Sequence, residues 1–184
     1  MRDTARLIDP HKYPIITRVL EHWLSLSAGG ALPRADAFRP GDVRWAVGCI
    51  ILLDVIGGGA DFRFRLFGSV CQSVYGVDVT GLLLSDLERL GHLAGARTDY
   101  TAVVTSRTPL FRPGKVVWPN GRELAFGRIL VPFVDKHDAV CRIVLTTDSG
   151  MPAEDVIMLC GQGVPRFVQD DADGPPARPS EAAA

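Results

Sequence analysis

The chain has 184 residues, of which 47% are hydrophobic and 22% charged, enough for one well-buried core with flanking sequence and a composition that excludes a disordered or fibrous protein. Lys and Arg number 20 against 21 Asp and Glu, a formal net charge of -1 with no dense basic run, which argues against nucleic acid or an anionic membrane as partner. The four cysteines, Cys49, Cys71, Cys141 and Cys160, stand apart with no Cys-x-x-Cys spacing, so buried thiols of a reducing compartment are expected in place of zinc or dithiol chemistry. Arg2 and Arg6 are followed by Asp9, Pro10, His11 and Lys12 with no apolar stretch, and no later segment is apolar enough to span a bilayer. A soluble, cytoplasmic protein without membrane contact is the expectation.

After Pro14, the residues Ile16, Val19, Leu20, Trp23 and Leu24 recur at helical spacing with polar residues between them, and Gly29 and Gly30 end the pattern. This predicts an amphipathic N-terminal helix. A connection over 32–42 leads to Cys49-Ile50-Ile51-Leu52-Leu53, a short β-branched run that reads as a central strand buried on both faces. Gly57, Gly58 and Gly59 turn the chain into Phe62-Arg63-Phe64-Arg65-Leu66, whose alternation predicts the second strand of a hairpin. The glycines can also cradle phosphate when a helix follows, but a strand follows here.

Short helices come next: one around Val70 to Tyr75 ending at Gly76, and one opened by Ser85 with Glu88 as its capping-box partner. A longer helix over about 93–106 carries Ala96, Tyr100, Val103 and Val104 on one side. Strands are then predicted at 110–111 and 116–118, at 124–134 after the Asn120-Gly121 turn, and at 140–146. Beyond Gly150 the pattern weakens, Gly161-Gln162-Gly163 is too short for a nucleotide motif, and disorder is expected from about residue 170. The predicted organisation is an N-terminal helix with its connection over 1–42, a domain over 43–148 and an extension over 149–184.

This order of elements, together with Leu52-Leu53-Asp54-Val55, Phe62-Arg63-Phe64-Arg65-Leu66-Phe67-Gly68 and Tyr75-Gly76-Val77-Asp78-Val79-Thr80-Gly81, resembles the PAS family. The match is to bacterial single-domain members in which a helix precedes the domain. The resemblance implies an α+β fold in which helices cover one face of a five-stranded antiparallel sheet and leave a pocket that in various members holds haem, flavin, a metabolite or nothing. Pocket-facing candidates are then Phe64, Leu66, Tyr75, Leu87, Tyr100, Val104, Phe126 and Ile129, which can equally serve as plain core. It implies a sensory or regulatory role in signal transduction, through a small ligand, a partner protein, or both.

The Asn-Cys-Arg-Phe motif of flavin photosensors is absent, and Cys71 lies in an earlier helix. His92 is the best candidate for a haem or metal ligand, four residues beyond Glu88 on a shared face if the helix continues through Gly91. Two groups make an incomplete site, so no cofactor is expected. The alternative is a cone-shaped α+β enzyme or binding protein for an apolar small molecule, with Asp86, Glu88 or His92 as general acid or base; helix-end charge explains these residues as well, and no catalysis is expected. A pure interaction module stands beside both. With no output domain recognisable in these 184 residues, the signal is expected to pass to a separate signalling protein. The N-terminal stripe Ile16, Val19, Leu20, Trp23 and Leu24, outside the PAS-like segment, is expected at a homodimer interface.

Overall fold

In a computed structural model the chain forms an α+β domain, and the structure describes residues 4, 6–27, 29–93, 95–161 and 164–169. The elements in chain order are α1 (Pro14–Leu26), a 3-10 helical stretch (Pro40–Cys49), β1 (Ile50–Ile56), β2 (Asp61–Phe67), α2 (Ser69–Tyr75), α3 (Leu84–Arg89), α4 (Ala96–Ser106), β3 (Leu110–Val117), β4 (Glu123–Val134), β5 (Val140–Asp148), α5 (Ala153–Leu159) and β6 (Arg166–Gln169). The strands form one sheet in the order β2-β1-β5-β4-β3-β6, with every pairing antiparallel. The five expected strands are joined at the edge by β6, which pairs with β3 from Gly114 to Val117. The segment expected to be disordered from about residue 170 lies outside the described residues, as do Gln162 and Gly163.

β1 sits between β2 and β5, and its continuous apolar run buries both faces. Ile50 and Leu52 belong to the core beneath α1, whereas Ile51 and Leu53 belong to the core beneath α2, α3 and α4. Period-two alternation across a two-sided sheet requires this division.

α1 lies on the first of these faces. Ile16, Val19, Leu20 and Trp23 pack with Val131, Phe133 and Val144 of the sheet, and the Trp23 indole N–H donates to the Pro132 carbonyl at 2.8 Å. The placing of this stripe at a homodimer interface is therefore corrected: Trp23 is 1% exposed against the chain's own strands, and only Leu24, at 41%, faces outward. A helix this apolar on one side needs cover, and the nearest uncovered surface is the back of its own sheet.

The predicted capping box at Ser85 is also corrected. α3 begins one residue earlier, at Leu84, with no side-chain cap of its own. Asp61 of β2 instead accepts the Ser85 hydroxyl at 2.7 Å and the Ser85 backbone N–H at 3.2 Å. Glu88 turns away to Arg97, at 2.8 Å.

Candidate functional site

Apolar side chains from opposite ends of the sequence converge at one end of the helix-covered face. The 3-10 stretch contributes Trp45, Ala46 and Cys49; α2 contributes Val70, Cys71, Val74 and Tyr75; the sheet contributes Ile51, Phe67, Val116, Leu124 and Phe126. Ile15 closes one side, and Met151, Pro152, Ala153, Val156 and Phe167 close another. Between them is a cavity of about 290 Å³. A second cavity of about 50 Å³ lies beside it, lined by Ala96 and Tyr100 of α4, sharing Ile51, Phe67, Phe126, Thr147 and Phe167 as walls and adding Phe64 and Arg128.

α2 places its side chains because Gly68 lets the chain pass close over the preceding segment: a Cβ there would lie 2.3 Å from the Gly48 carbonyl oxygen. Gly76, with φ of 84°, then ends the helix in the left-handed region. Tyr75 is the hub of an aromatic cluster, stacked on Phe167 with ring centroids 6.1 Å apart and edge-on to Phe67 and His92, both at 5.9 Å. Its hydroxyl is buried with no hydrogen-bond partner among the described residues.

Few polar groups reach the large cavity. Asp148 accepts the backbone N–H groups of Ile15 at 2.7 Å and Ile16 at 3.2 Å on one oxygen, and that of Gly150 at 2.8 Å on the other. The Thr147 hydroxyl donates to the Cys49 carbonyl at 3.5 Å and lies 3.6 Å from the Cys71 sulfur. Burial pushes the Cys49 thiol up to about 11 and that of Cys71 up to about 12, so both stay protonated and unreactive near neutral pH. The Tyr75 hydroxyl is likewise raised to about 12 by burial and remains a neutral donor.

The pocket-facing candidates divide. Tyr75 and Phe126 line the large cavity; Phe64, Tyr100 and Phe126 line the small one. Leu87 is core on the helix-covered face, with Val104 packed against it. Leu66 and Ile129 are corrected: both belong to the core on the opposite face, Ile129 because the positions of β4 alternate, and Leu66 because a register shift in the β1–β2 pairing between Leu52 and Leu53 turns it away from the face that holds Phe64.

His92 is half-buried and lines neither cavity. Gly91, with φ of 77°, follows the end of α3 at Arg89, so His92 and Glu88 do not share a helix face. Asp86 pairs with Arg89 on the surface, and neither it nor Glu88 reaches a cavity wall. No group of three His, Cys, Asp or Glu able to hold a metal ion occurs among the described residues. Among them, too, no helix is long and apolar enough to cross a membrane.

Reasoning from the sequence missed Trp45, Val70, Thr147, Asp148, Val156 and Phe167. Asp148-Ser149-Gly150 carried a usable signal, since an Asp two residues before a glycine commonly accepts the backbone N–H ahead of it.

The architecture is a curled antiparallel sheet with α2, α3 and α4 closing one face and an apolar hollow at one end. The PAS domain family model matches residues 12–145, and the chain belongs to the PAS domain family. PAS domains generally serve as sensory or signalling modules. Among solved structures the chain is similar to an RNA-binding light-oxygen-voltage receptor, at 15% identity over 72% of this chain with a TM-score of 0.44. It is also similar to the PAS domain of BvgS from Bordetella pertussis, at 20% identity over 59% of this chain and 81% of that one, with a TM-score of 0.43. This chain spans 38% of the length of the receptor. No curated protein matches.

Proposed function

We propose that the protein is a sensory or regulatory PAS module of the cytoplasm, which takes up a small ligand without a haem or flavin cofactor and passes its state to a partner polypeptide. The observation that carries this reading is the cavity of about 290 Å³ with almost wholly apolar walls. A concave apolar pocket of this size, partly open to solvent, is the kind of surface that small molecules occupy.

The enzyme alternative has less support, since Asp86, Glu88 and His92 all lie away from both cavities. Native mass spectrometry of the full chain, combined with an absorption spectrum, tests the proposal. A small molecule released on denaturation, with no haem or flavin band, is the expected result. A protein that carries nothing and whose melting temperature no small molecule raises refutes the ligand reading and leaves the interaction module.

A further inference from the structure

The two edges of the sheet are finished differently. Beside β2 the chain crosses again, so that the Phe64 backbone N–H donates to the Leu82 carbonyl at 3.0 Å and the Gly81 N–H donates to the Phe64 carbonyl at 2.6 Å. At the other edge β6 pairs with β3 on one side, and among the described residues no backbone hydrogen bond reaches it from the other. An edge strand with free N–H and C=O groups is a template for a further strand unless charge, proline or a cover blocks it. β6 reads Arg166-Phe167-Val168-Gln169, with no proline inside it, and Phe167 and Val168 stay half-buried at the open edge.

The chain just ahead of β6 is apolar on its surface. Of the twelve large hydrophobic side chains exposed among the described residues, five lie between positions 151 and 164, and Met158 is 79% exposed. α5 buries only Val156, which packs with Val116, Trp118 and Leu124 at the end of the sheet. Gly161 then lies flat on Trp118, where a Cβ would come within 2.6 Å of the ring. Backbone seated in this way holds its exposed apolar side chains beside the open strand edge, and that combination marks an interaction surface.

Charge selects the occupant. β6 opens with the exposed Arg166, and Asp170 and Asp171 follow the strand in the sequence. Two copies of this segment laid antiparallel about Val168 set Arg166 of each opposite Asp170 of the other, whereas a parallel arrangement stacks arginine beside arginine. The strand is its own complement, as a two-fold interface requires. Pairing of a four-residue strand falls short of the roughly 800 Å² per partner of a stable interface, so the apolar face of α5 has to contribute. We propose that the protein self-associates through this edge: a second copy adds its β6 antiparallel to the first, and the exposed Ile157 and Met158 are covered in the same contact. The interface uses neither α1 nor any occupant of the hollow.

Sedimentation velocity of the full chain over a wide concentration range tests it, and a monomer–dimer equilibrium is expected. Met158→Glu changes a side chain already in water, so the melting temperature should hold while the dimer weakens about tenfold. Arg166→Asp should weaken it by about the same factor, and Asp170→Arg added to the same chain should restore it. Val168→Cys faces its own copy across the two-fold axis, where paired Cα atoms lie about 4.5 to 5.5 Å apart, within disulfide reach. It is expected to give a disulfide-linked dimer on air oxidation, whereas the wild type and Leu24→Cys, on the exposed side of α1, stay unlinked. A chain that is monomeric at every concentration, a dimer untouched by Met158→Glu, a charge swap that restores nothing, or a Val168→Cys protein that links no faster than Leu24→Cys overturns the proposal.

Discussion

The Asp148 carboxylate, at the end of β5, accepts the backbone N–H of Ile15 at 2.7 Å, tying the first turn of α1 to a residue 133 positions away. The first N–H groups of a helix have no partner inside it, and here a strand end supplies the acceptor that a local cap would otherwise provide. Asp148 is 3% exposed, so water cannot replace it. Asp148→Ala is expected to destabilise the fold by about 2 kcal/mol and to speed amide exchange at Ile15 and Ile16. Unchanged exchange at both amides refutes this role.

Trp23 and Leu24 are neighbours on α1 with opposite surroundings, 1% and 41% exposed. Trp23→Ala removes a large core side chain and the donor to the Pro132 carbonyl, for an expected loss of about 3 to 5 kcal/mol. Leu24→Ala is expected to stay within about 0.5 kcal/mol. Deletion of the first 30 residues should expose Val131, Phe133 and Val144 and give an insoluble protein. A soluble monomer from that deletion would return the helix to the role of a detachable interface.

Elements with a strong local period are legible in the amino-acid sequence. Pro14 and the 3.6-residue stripe after it mark α1, the alternation at 62–66 marks β2, and the run at 50–53 marks a strand covered on both sides. What the stripe of α1 faces is a tertiary question, since apolar spacing does not say whether the cover comes from the same chain or another. Ser85 and Glu88 satisfy the local spacing of a capping box, yet Asp61, 24 residues earlier, takes the Ser85 hydroxyl, and a distant acceptor leaves no local signature. The cavity is legible only through Tyr75 and Phe126, because its wall is assembled from the 3-10 stretch, α2, the strands and α5 together, and no local period signals that their side chains converge.

Gly68 and Gly58 separate crowding from backbone strain. Gly68 has an ordinary φ of -62°, but an added Cβ would meet the Gly48 carbonyl oxygen at 2.3 Å. Gly68→Ala must push α2 away from the 3-10 stretch, an overpacking cost of about 1 to 3 kcal/mol, and is expected to weaken ligand binding as well. Gly58 has φ of +68° with nothing within 4 Å, so Gly58→Ala should cost about 1 kcal/mol through backbone strain alone and leave binding intact. Equal effects on binding would detach α2 placement from the cavity.

His92 meets Tyr75 edge-on with ring centroids 5.9 Å apart, a packing contact. His92→Ala is expected to leave the visible absorption spectrum unchanged and to lower stability by about 1 kcal/mol or less. A haem-type band that vanishes in this variant would make His92 an axial ligand and overturn the cofactor-free reading.

Asp61 links β2, α3 and α4, and its titration should be visible in acid unfolding. Burial by itself raises its pKa, but the Ser85 hydroxyl, the Phe62 and Ser85 backbone N–H groups and the Arg97 guanidinium outweigh it and hold the carboxyl below the ordinary carboxylate value. A depressed folded-state pKa means that the unfolded chain binds the proton more readily. The contribution is therefore complete above the unfolded value of about 3.9 and is lost as pH falls through the folded value. Asp61→Asn keeps the shape and removes the charge. The variant is expected to be less stable than the wild type at neutral pH, with the difference shrinking as pH drops below about 4, because protonation removes from the wild type what the substitution has already removed. Urea unfolding across the acid range measures this directly, and a stability difference independent of pH would show that the Asp61 contacts depend on shape and not on charge.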